Sequence, residues 1–462
     1  MSTNNRGAAL LRKNSRTYFA IFLWCAGITV LIHCPMLFKR HAEGDEVVYY
    51  VLSQRMGWDL SNYTTRDDPR VNGLPYTIYR GPLFHHPPLL PLVLKAGSHF
   101  TANPLLLLPG VATPRAKPGT LPSIVPGECV AAAFVFEVFV CIAALWYAWK
   151  FAELLEIEPR FGAAALIGIT LCPLVLFSTN RIHHDGVLGL MLLCGLVAFA
   201  ETLEKRRVIL TIEAAVWLVA ALNVRFNALV ALPVILCMPL FQFAREAKSS
   251  APRSRDPARE SQSIDKRPLR WLPPAIALGA VLTAGMQHYY RLFAAYGTLR
   301  SGAFIQPIGD LSKFSPFLAM LERVNRSWTC WELAAMFPLA ILFVAPWNLR
   351  QFARDLRGGN WSAAFVAIFG FMFVVQLCLA YKPVRYFAAV TPLMHLCWPY
   401  LLRNRPHLDW LASSTWGVAG VTLLLMITTG FWNASLHASD QAAVIPSLTI
   451  YWPPLLREYR PN

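Results

Sequence analysis

Charge is scarce in this chain, and the short motifs of soluble enzymes are missing. Only 15% of the 462 residues are charged, against about 25% in a typical soluble domain. The sequence holds no Walker loop, no GxGxxG, no GxSxG and no HExxH. Nucleotide cradling, dinucleotide binding, the hydrolase elbow and the zinc-protease helix are therefore not indicated. No stretch is polar enough to fold as a large soluble domain around a nucleotide. The 10 cysteines show no CxxC pairing, which removes the usual zinc and redox signatures. Cys25, Cys141, Cys172, Cys194, Cys237 and Cys378 sit in apolar runs, where a thiol acts as a small buried hydrophobe. Any reaction must take place at a membrane, with a donor that is lipid-borne or reaches the outer face.

What the chain has in quantity is apolar helix. Hydrophobic residues make up 55% of it, and the mean hydropathy is +0.42. Runs long enough to cross a bilayer recur throughout. The expected fold is an all-α polytopic membrane protein with about eleven transmembrane helices, at roughly 18–38, 129–149, 161–179, 186–203, 208–222, 227–243, 272–290, 331–347, 361–381, 386–402 and 411–432. The first run is too long for a signal peptide and lacks a small-x-small cleavage site, so it reads as a retained helix. The net charge of +16 suits cytoplasmic loops and anionic lipid better than nucleic acid. With the N-terminus inside, the short loops at Lys150/Arg160, Lys205-Arg206-Arg207, Arg350/Arg354/Arg357 and Arg403/Arg405 fall in the cytoplasm, as does a basic connector at 244–271. Residues 1–243 then form a membrane core with a long first extracytoplasmic loop at 39–128. Residues 272–462 add further helices and an extracytoplasmic tail.

Ionisable residues beside apolar spans are costly and are functional candidates by default. The first set is Gly44-Asp45-Glu46 with Tyr49, at the start of the first loop. Val47, Val48, Val51, Leu52 and Met56 follow at helical spacing, so this segment is expected to be an interfacial helix lying on the membrane surface. Its acidic pair serves either as a helix cap, favoured by the helix dipole, or as general base and metal ligand. Arg181-Ile182-His183-His184-Asp185-Gly186 forms a short outer turn that can bind a cation or a phosphate, and is richer than a turn requires. Arg225, in Asn223-Val224-Arg225-Phe226-Asn227, wants an anion at the membrane surface, a lipid phosphate or an ordinary headgroup. Lys382 and Arg385, in Tyr381-Lys382-Pro383-Val384-Arg385-Tyr386, belong either to such a site or to an interfacial belt. In His85-His86-Pro87-Pro88 the prolines fix an extended backbone that holds the histidines stiffly.

The acidic pair after the first helix, followed some forty residues on by His86-Pro87-Pro88-Leu89, resembles the GT-C glycosyltransferases. The resemblance is to the bacterial protein O-mannosyltransferase and aminoarabinose-transferase-like group. Asp185-Gly186 fits that group's second loop, Arg225 its basic residue after a helix, and Lys382-Pro383-Val384-Arg385-Tyr386 its late turn. The resemblance implies transfer of a sugar from a polyprenyl phosphate to an acceptor on the outer face of the inner membrane, with inversion. It makes Asp45 the general base and Glu46 the second acid. Arg225, Lys382 and Arg385 become the ligands of the leaving phosphate, and Tyr49, His85, His86, His183, His184 and Asp185 position donor and acceptor. Some members use a divalent metal, for which Asp45, His184 and Asp185 are the candidates here. The acceptor, an envelope lipid, glycan or protein, and the sugar are not specified. A transporter or flippase of lipid-linked glycans would show internal repeats and helices broken at mid-membrane, which this sequence lacks. A polymerase or ligase would share the lipid donor, but the acidic pair speaks against it.

Overall fold

The computed structural model describes residues 19–38, 45–65, 68, 86–99, 127–155, 159–170, 182, 184–205, 207–249, 272–296, 347–378, 389–397 and 400. Every regular element among them is helical. In chain order they are α1 (Phe19–His33), continued by a 3-10 turn at Cys34–Phe38, then α2 (Asp45–Arg55), α3 (Leu89–Gly97), α4 (Gly127–Leu154) and α5 (Pro159–Thr170). Next come α6 (His184–Lys205), α7 (Val208–Val224), a 3-10 turn at Phe226–Ala231 and α8 (Leu232–Ser249). They are followed by α9 (Leu272–Ala280), a π turn at Val281–Gly285, α10 (Gln287–Tyr296), α11 (Trp347–Arg357), α12 (Trp361–Cys378) and the short α13 (Thr391–His395).

Glu128–Leu154 and Gly186–Lys205 are long and apolar enough to cross a membrane, and Phe19–His33, Val208–Val224, Ala228–Phe243 and Ser362–Met372 are shorter apolar helices. The described residues thus account for fewer spans than the eleven expected. The runs at 331–346 and 411–432, most of the connector, and the late basic turn with Lys382 and Arg385 lie outside them.

α6 is the axis of the bundle. Its sequence is apolar on every side, and residues 186–203 are all buried, as expected of a helix enclosed by others. It packs against α7 and α4, and α7 in turn packs against α9. α7 shows how the bundle is sorted. Thr211, Ala214, Leu218 and Ala221 face inward, whereas Val208, Ile209, Ile212 and Val216 are exposed. Comparable apolar stripes are uncovered on α1 (Phe19, Leu23, Leu31), α4 (Val135, Phe139) and α8 (Leu236, Leu240, Phe243). Such patches belong in lipid. Small inward residues let helices approach closely where lipid removes the hydrophobic drive for association.

The hairpin α6–α7 brings the site together. α6 has 22 residues and α7 has 17, so at 1.5 Å per residue they run about 33 and 25 Å in opposite directions. The start of α6 and the end of α7 therefore lie at one end of the bundle. The other end holds a buried Glu201, which accepts from Lys205 at 2.6 Å and pairs with Lys150 at 3.6 Å. Lys150 also stands over the rings of Trp146 and Tyr147.

α2 departs from the amphipathic surface helix expected at 45–56. Residues 46–53 are all buried, and α2 packs on α3, which packs on α4. Its apolar residues join Met36, Leu90, Leu94, Cys129 and Val130 in a second core beside the main bundle. Spacing shows which residues of a helix are apolar. It does not show that Tyr49, Tyr50 and Ser53 on the other side would also be covered.

Candidate active site

The site is built where α2, the leader of α3, the start of α6 and the end of α7 meet. Glu46, in the first turn of α2, is 2% exposed, and its carboxylate accepts the backbone N–H of Ile182 at 3.0 Å. That N–H lies just before α6, where a carboxylate also complements the positive end of the helix dipole. Glu46 therefore joins the first loop to the 181–186 turn.

Tyr49, one turn along α2 and 1% exposed, is hydrogen-bonded through its hydroxyl to His184 Nδ1. His86 Nδ1 lies 3.5 Å from the same hydroxyl. The Tyr49 ring meets both imidazoles edge-on, at centroid separations of 5.4 Å to His86 and 5.6 Å to His184. Arg225 Nη1 donates to His184 Nε2. Arg225 itself is extended (φ −163°, ψ 145°), in the single-residue break between α7 and the following 3-10 turn. Asn223, two residues earlier, donates its side-chain amide back to Val219 O at 2.9 Å. The helix ends there, and Arg225 is aimed at α6 rather than along α7.

A tight turn delivers one more phenol. After α2, Leu60 and Asn62 take positive φ (63° and 54°), a left-handed conformation that costs a side-chain-bearing residue about 1–2 kcal/mol. Local bonds offset it: Ser61 donates both its N–H and its hydroxyl to Asp59 Oδ1, at 3.0 and 2.6 Å, and Asn62 donates to Arg55 O at 3.1 Å. The two Ser61 bonds hold the exposed Asp59 carboxyl below its ordinary value. Tyr63 emerges from this turn and donates to the His86 carbonyl at 2.6 Å. Burial pushes its phenol well above the usual value. Its ring meets that of His288 on α10 at 5.4 Å. The neighbouring Tyr289 donates to Leu222 O at 3.1 Å, near the end of α7.

Of the residues expected at the site, Glu46, Tyr49, His86, His184 and Arg225 converge. Asp45 and Asp185 occupy the first turns of α2 and α6, but their side chains lie outside the described residues, as do His85, His183, Lys382 and Arg385. Tyr63, His288 and Tyr289 were not expected. His288-Tyr289-Tyr290-Arg291 ends the 272–290 run as a polar cluster, and the same scrutiny of span ends that singled out Arg225 finds it. Tyr63 carries no such mark in the sequence.

Chemically, a guanidinium that keeps its charge at any accessible pH stands at the end of a helical bundle, linked through the His184 imidazole to Tyr49 and His86. Such a group is chemically suited to hold an anion. Of the metal candidates, His184 alone has a described side chain, and its two ring nitrogens face Tyr49 and Arg225. Among the described residues, no group of three His, Cys, Asp or Glu is gathered for one.

No protein-family model matches the sequence, and no curated protein matches it. Among solved structures the chain is similar to ArnT from Cupriavidus metallidurans, in its crystal structure bound to undecaprenyl phosphate. The TM-score is 0.51 at 13% sequence identity, over 96% of this chain and 76% of that one. At that identity the likeness is one of fold. The chain shares the helical fold of that protein.

Proposed function

We propose that this protein is an integral-membrane glycosyltransferase of the inner membrane that takes a sugar from a polyprenyl-phosphate donor and passes it to an envelope acceptor on the extracytoplasmic face. One observation carries the reading. Arg225 is held at one end of a GT-C-like bundle beside Tyr49, His86 and His184, with the acidic start of the first loop tied to the same place through Glu46.

In this reading the lipid phosphate is the leaving group, and its developing charge is met by Arg225, joined by Lys382 and Arg385. Asp45, in the first turn of α2, is the general base that takes the proton of the acceptor hydroxyl. Glu46 is a positioning residue, since its carboxylate is committed to Ile182. Tyr49 and the histidines line the place where donor and acceptor meet. No step is routed through a metal ion. The outer face is the one bearing the first loop, and the N-terminus is cytoplasmic.

The test is sugar transfer in liposomes, with a panel of polyprenyl-phosphate sugars as donors and membrane extract as acceptor. Wild type should transfer one of them. Asp45→Asn should lose about a hundredfold or more, as befits a missing general base, and Arg225→Ala a comparable factor. Full transfer by Asp45→Asn would remove Asp45 from the chemistry. Absence of transfer by wild type, together with lipid-linked glycan crossing the bilayer, would turn the reading to a flippase.

A further inference from the structure

We infer that His184 is a positioning residue that holds the Arg225 guanidinium in its phosphate-binding orientation, with Tyr49 fixing the imidazole tautomer that makes this possible. The inference rests on the reading of Arg225 as a ligand of a lipid phosphate.

A guanidinium has N–H donors and no acceptor. The nitrogen of His184 that faces Arg225 Nη1 must therefore carry the lone pair, and that nitrogen is Nε2. A neutral imidazole has one donor and one acceptor, so Nδ1 carries the hydrogen and donates to the Tyr49 hydroxyl. In that arrangement the hydroxyl hydrogen can be directed at His86 Nδ1, 3.5 Å away. Each bond in the chain from Arg225 through His184 and Tyr49 to His86 fixes the direction of the next.

The backbone shows why such an anchor is needed. Arg225 stands in the one extended residue between two helical segments, so its side chain leaves the path of α7. It meets His184, which opens α6, the central helix. That helix start is tied to α2 by Glu46 at Ile182, and α2 supplies Tyr49. The direction of the phosphate-binding cation is thus set by the loop expected to hold the acceptor.

The inference predicts a pattern in binding of undecaprenyl phosphate to the full-length protein in detergent, with undecaprenol as the uncharged control. His184→Ala should weaken binding about three- to tenfold, the effect of having to immobilise a long side chain on binding. His184→Gln should stay within about twofold of wild type, because the amide oxygen accepts from Arg225 while the NH2 group donates to Tyr49. Tyr49→Phe, which keeps the ring and removes one oxygen, should weaken binding about two- to threefold. In an Arg225→Ala background neither His184→Ala nor Tyr49→Phe should cause a further loss, since a positioning residue has nothing left to position. Thermal unfolding of each variant checks its fold, and Tyr49→Phe serves if His184→Ala does not fold. Wild-type binding by His184→Ala, equal losses in the Ala and Gln variants, or losses that persist without Arg225 would overturn the inference. Wild-type binding by Arg225→Ala would instead overturn the phosphate reading beneath it.

Discussion

The adjacent acids Asp45 and Glu46 look equivalent in sequence, yet the fold gives one of them a fixed task. Glu46 is buried and accepts a backbone N–H at the start of α6. A buried donor left without an acceptor costs about 1–3 kcal/mol, and losing the charge at a helix start costs up to about 1 kcal/mol. Glu46→Ala should therefore lower the thermal midpoint in detergent clearly, whereas Glu46→Gln keeps an acceptor oxygen and should lose less than half as much. Asp45→Asn, which loses a charge in the first turn of α2, should cost at most about 1 kcal/mol while cutting transfer about a hundredfold or more, and Glu46→Gln should keep most of the transfer. An Ala variant as stable as wild type would show that the Ile182 bond contributes nothing. A folded but inactive Gln variant would give Glu46 a place in the chemistry.

At the scale of elements, His86 depends on how α3 is seated. Pro87 and Pro88 lead straight from His86 into α3, whose last residue, Gly97, lies against α4. A Cβ at Gly97 would stand 2.6 Å from Ala132 Cβ and 2.8 Å from the Glu128 carbonyl. One of these is backbone and neither can swing away. Gly97→Ala must push the two helices apart, at a cost of about 1–3 kcal/mol, and should lower the unfolding midpoint and weaken donor binding together. Gly27 on α1 meets nothing within 4 Å, so Gly27→Ala is the matched control and should be neutral or slightly stabilising. Equal behaviour of the two variants would remove the close seat of α3 from the argument. Much of this level was legible beforehand. The runs at 208–222 and 186–203 match α7 and α6 to within two residues, because apolar length and basic loop residues mark both ends. The burial of residues 46–53 was not legible, because their cover comes from α3 and α4, distant in sequence. Tyr63 was missed for the same kind of reason. Its partner is the main-chain carbonyl of His86, and no side-chain pattern encodes that.

At the scale of the whole molecule, the partners meet with their ends sorted. Residues of the first loop contact the start of α6 and α10, and the end of α7 contacts the same two elements through Arg225 and Leu222. The Lys150, Glu201 and Lys205 group and the α6–α7 connection stand at the opposite end. This sorting follows from alternating helix direction and holds whichever face is outside; orientation rests on the positive-inside rule. Two exposed residues, one from each end, can decide it. Trp58 follows α2 in the first loop, and Arg207 lies in the α6–α7 connection. In intact cells a membrane-impermeant maleimide should label Trp58→Cys, while Arg207→Cys should react only after permeabilisation, each compared with the wild-type background from the native thiols. Trp58 also has Lys95 5.5 Å from its ring centroid, but the surface position should accept the change within about 0.5 kcal/mol. The opposite labelling pattern would put Arg225 and the first loop in the cytoplasm. A donor flipped to the outer leaflet could not then reach the site, and the acceptor would have to be sought among cytoplasmic molecules. Labelling as expected would place Arg225 and the first loop where a polyprenyl-phosphate sugar and an envelope acceptor can both arrive.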